Sequence, residues 1–221
     1  MKFEEYIKNK KVLIIGPASY LRDDPIIDAI DSFDTIIRVN SSIDLTLKIP
    51  DIVGSRTDIV FTTADIDVCT NTNHRKINMW VDKGVKHVRI CPPAIRHYYS
   101  QNIKSFEREN NKQLEFSVTD RKNYLEFVKK CEDTIPNTGL AAILDCLKYS
   151  PKIIHVSGIT FFKGGYMKEY GVTTTTEKEV RKFFEKQGNH DIDKQIEYFK
   201  KIFADNKHLS CDDYIMEALE L

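Results

Sequence analysis

The segment Asn189-His190-Asp191-Ile192-Asp193-Lys194-Gln195 places a histidine ahead of Ile192, Ile196, Phe199 and Phe203, apolar residues at helical spacing. A histidine at or just before a helix N-terminus feels the positive end of the helix dipole, which disfavours imidazolium. The neutral ring nitrogen this leaves near pH 7 is what a general base needs, although a plain capping histidine on the surface would look the same. Ile135-Pro136-Asn137-Thr138-Gly139 precedes the apolar run Leu140–Leu144. Asn137 or Thr138 can cap the helix that follows, its first-turn amides offer partial positive charge to an anion, and Gly139 leaves room for close approach; an ordinary capped helix is the competing reading. Further upstream, Val12–Ile15 runs into Gly16-Pro17-Ala18-Ser19, and Thr35–Val39 runs into Asn40. A glycine after a first parallel strand lets a ligand approach the backbone, which points to a nucleotide in general terms.

The elements that must position these residues follow from alternating patterns. Short β-branched runs at Val12–Ile15, Thr35–Val39, Asp58–Phe61, Val88–Cys91 and Ile153–Ser157 read as strands. Helical patterns cover Pro25–Ile30, Arg75–Lys83, Ile95–Glu109, Tyr124–Cys131 and Leu140–Leu147, then Glu177–Lys186, Asp191–Phe203 and Asp212–Leu219. Asp24 and Pro25 supply a cap and a first-position proline for the earliest of these helices. Ser42–Pro50 and Phe161–Thr176 read as loops long enough to cover a substrate. The alternation predicts an α/β fold with a mostly parallel central sheet and helices on both faces.

A length of 221 residues without a break in composition fits a single domain over 1–221. The 33 Lys and Arg balance the 33 Asp and Glu and are dispersed, so no global field recruits nucleic acid or an anionic membrane. No apolar stretch approaches the roughly 20 residues of a transmembrane helix. Met1–Tyr6 has no secretory hydrophobic segment, so a cytoplasmic location is expected. Cys69, Cys91, Cys131, Cys146 and Cys211 are odd in number and form no CxxC pair, as expected of reduced core thiols. His155 lies within a strand and reads as a satisfied core residue, while His74, His87, His97 and His208 show no metal-ligand spacing. Arg38 and Arg56 suit either ion pairs or ligand contact.

Ile30-Asp31-Ser32-Phe33-Asp34, then Arg38-Val39-Asn40 and Asp51-Ile52-Val53-Gly54-Ser55-Arg56-Thr57, together resemble the large sialylmotif of the eukaryotic-type sialyltransferases, glycosyltransferase family 29. Pro136-Asn137-Thr138-Gly139 with Ser157-Gly158-Ile159 resembles the small sialylmotif, with Asn137 in the place of a serine. His190 to Gln195 resembles the very small motif, with Gln195 in the place of its glutamate. Pro17 replaces the asparagine of the first turn, and Lys163–Tyr170 lacks the histidine of a further motif. The family's inter-motif cysteines correspond to Val12 and to a position near Pro151, so that disulfide is missing, and the membrane anchor of animal members has no counterpart. The resemblance covers residues 11 to 203.

It implies a single-domain, Rossmann-like variant of the GT-A type and an inverting transferase without metal or other cofactor. Sialic acid or a similar acidic sugar would pass from a CMP-activated donor to a hydroxyl of a glycan or glycolipid acceptor. His190 would be the catalytic base. Gly16, Ser19, Asn40, Asn137, Thr138, Gly139, Ser157, Gly158 and Tyr166 would bind the donor nucleotide, with Lys168 an alternative to Tyr166 at its phosphate. Three other readings stay open: a CMP-Kdo transferase on the same scaffold, a dinucleotide- or S-adenosylmethionine-dependent enzyme, and a non-catalytic nucleotide-binding module. The second is disfavoured, since Gly16-Pro17-Ala18-Ser19 is not GxGxxG and the second strand ends in Asn40 rather than an acid.

Overall fold

The computed structural model describes residues 1–64, 74–171, 176–187 and 190–221. Seven strands form one parallel sheet: β1 Lys11–Ile15, β2 Thr35–Val39, β3 Ile59–Thr62, β4 His87–Ile90, β5 Glu115–Val118, β6 Ile153–Ser157 and β7 Leu209–Cys211, in the order β5-β4-β3-β2-β1-β6-β7. β1 to β4 and most of β6 are buried, as continuous Val/Ile runs in a parallel sheet must be when both faces are covered. The edge strands β5 and β7 escape the sequence pattern because they are short, and β5 is only half-buried.

The helices are α1 Phe3–Ile7, α2 Ile27–Ile30, α3 Leu45–Lys48, α4 Pro50–Val53, α5 His74–Asp82, α6 His97–Asn110, α7 Arg121–Lys130, α8 Thr138–Leu147, α9 Glu177–Gln187, α10 Ile192–Asp205 and α11 Asp213–Leu219. With the right-handed crossovers usual for parallel strands, this order puts the helices of the β1-to-β5 progression on one face and those of the return to β6 and β7 on the other. Among the described residues no helix is long and apolar enough to cross a membrane.

Two local expectations are corrected. Asp24 and Pro25 do not start a helix; α2 begins at Ile27, with Ile26 at its cap position and no side-chain cap. Ser42–Pro50 is not a loop: Asn40–Asp44 is a 3₁₀ helix that continues into α3 and α4, with Ser42 and Thr46 hydroxyls bonding back to the preceding carbonyls of Val39 and Ile43. Within 161–176, positions 172–175 lie outside the described residues, and Lys168–Tyr170 is a 3₁₀ turn.

One structural feature fixes α8, the helix that carries Thr138. Arg89 of β4 grips the fully buried Asp145 of α8 through Nε at 2.7 Å and Nη2 at 3.2 Å, while the Thr119 hydroxyl donates to the same carboxylate. Burial, the largest single influence, would lower the Arg89 pKa, but the charge and hydrogen bonds of Asp145, with Tyr149 and Cys91, together outweigh it and raise it.

The charged residues of the large motif are also structural. Arg38 is fully buried, and its guanidinium donates to the Thr57 hydroxyl and to the carbonyls of Val53, Gly54 and Arg56. Held by carbonyls rather than a carboxylate, it is pushed down by burial to about 9. Arg56 pairs with Asp58 at 3.0 Å and donates to the carbonyls of Phe33 and Asp34. His155 is satisfied at both nitrogens, by Ser210 at 2.9 Å and Asp212 at 2.8 Å. The four described cysteines are buried and free; Cys69 lies outside the described residues.

Candidate active site at the carboxyl edge of the sheet

Because every strand is parallel, the segments after β1, β2, β3 and β6 all emerge on one edge. The chain leaves β1 towards β2 on one side and β6 towards β7 on the other, so the strand order reverses between β1 and β6. That is where open α/β sheets place their ligands.

One group of expected residues forms a hydrogen-bonded chain there. Asn40, directly after β2, takes a left-handed backbone (φ +48°), a conformation asparagine tolerates better than most residues. Its Nδ2 donates to the Thr138 hydroxyl at 3.1 Å and its Oδ1 accepts from the Thr63 amide at 3.3 Å. Asn137 is the α8 cap, its side chain accepting from the Leu140 amide at 2.9 Å. Helical geometry leaves the first-turn amides of Thr138 and Gly139 without an intrahelical acceptor, which makes them candidate anion-binding donors.

His190 reaches the same place from the other side of the chain. It immediately precedes Asp191, whose side chain caps α10 by accepting from Lys194 at 3.1 Å. Its Nδ1 lies 2.7 Å from the carbonyl of Ile135, two residues ahead of Asn137. A carbonyl only accepts, so Nδ1 carries the proton and Nε2 is the basic nitrogen of the neutral ring. Burial holds the His190 pKa below the ordinary histidine value, against the smaller opposing effect of the Ile135 bond. Asn189 lies outside the described residues.

A second group knits the turn after β1 to the loop after β6. Gly16 and Ala18 amides donate to the carbonyls of Ser157 and Gly158, the Ser19 amide donates to Gly165, and the Met167 amide donates to Pro17, which makes an antiparallel bridge between Ala18 and Tyr166. Pro17, lacking an N–H, serves through its carbonyl. The Ser19 hydroxyl donates to the Gly164 carbonyl at 2.7 Å. The half-buried Tyr166 ring packs between Phe162 and Tyr170, with centroids 5.8 and 5.1 Å away. Lys168 is exposed. Ser157 is fully buried, with its hydroxyl beside Tyr20 and Asp212 but outside hydrogen-bond geometry. Burial pushes the Asp212 carboxyl up, but bonds from His155 and Tyr20 outweigh it and hold it low.

The glycines also have a packing role with no signal in the sequence. A Cβ on Gly16 would strike the Gly158 carbonyl oxygen and come within 2.7 Å of Ile159 Cγ1; a Cβ on Gly158, at φ +68°, would meet the Gly16 carbonyl. A Cβ on Gly139 would lie 2.9 Å from Ile159 Cγ2 and 3.2 Å from its Cδ1. The space these residues leave empty is therefore filled by Ile159 and by the opposing turn. Ile159 packs against both Gly16 and Gly139, and its role has no signal in the sequence beyond its place after Ser157-Gly158.

Gln195, noted only as a substitution, is fully buried and joins the chain: its Oε1 accepts from the Asn137 amide at 2.8 Å and its Nε2 donates to the Ile135 carbonyl at 3.2 Å. Its position facing into the α10 interior, one turn after the Asp191 cap, was the available clue.

No family model matches the chain, and no curated protein sequence matches it. Solved structures do share its fold. The sialyltransferase CstII from Campylobacter jejuni, in complex with the substrate analogue CMP-3FNeuAc, superimposes with a TM-score of 0.58 at 13% identity, covering 91% of this chain and 80% of that one. A tyrosine-to-phenylalanine variant of sialyltransferase CST-II in complex with CMP gives 0.59 at 14% identity, with 91% and 80% coverage. A mammalian sialyltransferase in complex with Gal-beta-1-3GalNAc-ortho-nitrophenol gives 0.58 at 12% identity, covering 95% of this chain and 71% of that one. At such identities the likeness is one of architecture: this chain's seven-stranded parallel α/β sheet and its helices share their overall fold with these sialyltransferases.

Proposed function

We propose that this chain is a glycosyltransferase that moves sialic acid, or a similar acidic sugar, from a CMP-activated donor to a glycan or glycolipid hydroxyl. The observation that carries the reading is the convergence of Asn40, the Thr138–Gly139 helix start and a Nδ1-protonated His190 at the carboxyl edge of a sialyltransferase-type sheet. The structures that share the fold include complexes with CMP and with a CMP-sugar analogue, which supports a cytidine nucleotide as the donor handle.

Asn40 and the α8 amides hold the donor phosphate, with Gly16, Ser19, Ser157, Gly158 and Tyr166 forming the floor and wall built from the β1 and β6 turns. As the bond from the anomeric carbon to the phosphate oxygen breaks, the departing CMP gains charge at the α8 N-terminus, where oriented amides stabilise it. The acceptor oxygen attacks the opposite face, giving inversion, and its proton passes to His190 Nε2. The charge is met by amides, so the reaction runs without a metal. The buried, free thiols suit the reducing cytoplasm.

The test is CMP release from CMP-Neu5Ac and CMP-Kdo in the presence of an acceptor array, with and without EDTA, for the wild type and His190→Ala. Release from a CMP-sugar that survives EDTA, with kcat lower by about 10²–10⁴ in His190→Ala, is the expected result. A variant that keeps more than about a third of wild-type kcat removes His190 as the base. A thermal shift with NAD or S-adenosylmethionine but none with CMP overturns the whole reading.

A further inference from the structure

We propose that Gln195 is a positioning residue that sets the tautomer of His190, a task an ionised carboxylate in its place could not perform. The kinetic part of the proposal rests on His190 being the base; the tautomer part does not. The Ile135 carbonyl accepts two donors, His190 Nδ1 at 2.7 Å and Gln195 Nε2 at 3.2 Å, which fills both of its lone pairs. The other end of the same amide accepts from the Asn137 amide at 2.8 Å. One planar group thus fixes the Ile135 carbonyl relative to the Asn137 amide, across Pro136. It ties the histidine to the cap of the helix that bonds Asn40.

The chemistry of this clamp is specific. It needs an acceptor and a donor a fixed distance apart, in a side chain with no solvent exposure. An ionised carboxylate could accept from Asn137 but could not donate to Ile135, and it would set a buried negative charge against a carbonyl oxygen. Glutamine in the place of a glutamate is therefore a matched component of this site rather than a weakened one. Without the clamp the Ile135 carbonyl is free to move, and the imidazole can place its proton on Nε2, the nitrogen that must receive the acceptor proton.

The experiment is ¹⁵N NMR of the full chain labelled at histidine, at pH 7 and without donor, with the His190 signal assigned by its loss in His190→Ala. Wild-type His190 is expected as the Nδ1–H tautomer. Gln195→Met, which keeps the volume but neither hydrogen bond, is expected to give a mixture of tautomers. Its kcat should fall by up to about a hundredfold, the cost of a misplaced catalytic group. A wild-type ring in the Nε2–H form overturns the proposal without any variant, so the test survives a Gln195→Met protein that fails to fold. A Gln195→Met protein that keeps a pure Nδ1–H ring also overturns it. The spectrum needs no substrate, so the clamp can hold even if His190→Ala shows that another group is the base.

Discussion

Asp145→Ala tests whether the candidate site depends on a buried pair at the far end of α8. Asp145 is fully buried and accepts three hydrogen bonds, from Arg89 Nε, Arg89 Nη2 and the Thr119 hydroxyl, at 2.7, 3.2 and 3.2 Å. Removing the carboxylate leaves a guanidinium whose side chain is 5% exposed. Arginine cannot shed its charge, and what remains around it is neutral: the Ser117 hydroxyl, the Val118 carbonyl, the Tyr149 hydroxyl and the Phe3 ring 4.4 Å away. An orphaned buried charge of this kind costs about 3–5 kcal/mol, a large share of the roughly 5–15 kcal/mol that holds a domain together. Urea unfolding followed by circular dichroism should show that loss in the midpoint, with an unchanged slope. The double variant Arg89→Met/Asp145→Leu removes both charges and should recover most of it, since apolar replacements of buried pairs are often neutral. CMP affinity should fall in Asp145→Ala and return in the double variant, because the pair anchors α8 to β4. A loss below about 1 kcal/mol in Asp145→Ala, or a double variant as unstable as the single one, would refute the reasoning.

Two further outcomes follow from the packing. Burial, reinforced by the Arg89 charge, pushes the His87 pKa down to about 4, so the folded state binds fewer protons than the unfolded chain between that value and about 6.5. Unfolding then takes up a proton and stability drops as pH falls through this window, by roughly 3 kcal/mol in all. His87→Gln should flatten that part of a stability-against-pH curve, and an unchanged curve would count against the buried neutral imidazole. Gly139→Ala should cost about 1–3 kcal/mol by overpacking against Ile159, more than the at most ~1 kcal/mol that alanine gains over glycine in a helix. In an Ile159→Ala background the same change should cost almost nothing, and additive unfolding energies in the double-variant cycle would show that Ile159 is not the obstacle.

The central strands were legible because burial on both faces demands unbroken β-branched runs: Thr35–Val39 and Ile153–Ser157 fall where their composition placed them. β5 and β7 were not, since an edge strand of three or four residues carries too little apolar signal to stand out from a loop. The helical Asn40–Val53 segment was missed for a related reason, being built of single turns that each rely on neighbours rather than on a repeating apolar face.

Within the candidate site the sequence by itself determined which groups stand at strand ends and helix starts. Asn40 follows β2, Asn137 caps α8 and His190 precedes α10, all consequences of local spacing and capping chemistry. What those groups touch was decided only by the tertiary structure. Gly16 and Gly139 accommodate Ile159, Arg38 solvates itself on the carbonyls of Val53, Gly54 and Arg56, and Gln195 reaches back to Ile135 and Asn137. A local pattern constrains torsions over one or two turns. The partner of a buried polar group or the occupant of a glycine's empty space is set by chain beyond that reach, as Gln195 returns to Asn137 and Ile159 to Gly16, and no local pattern encodes that meeting.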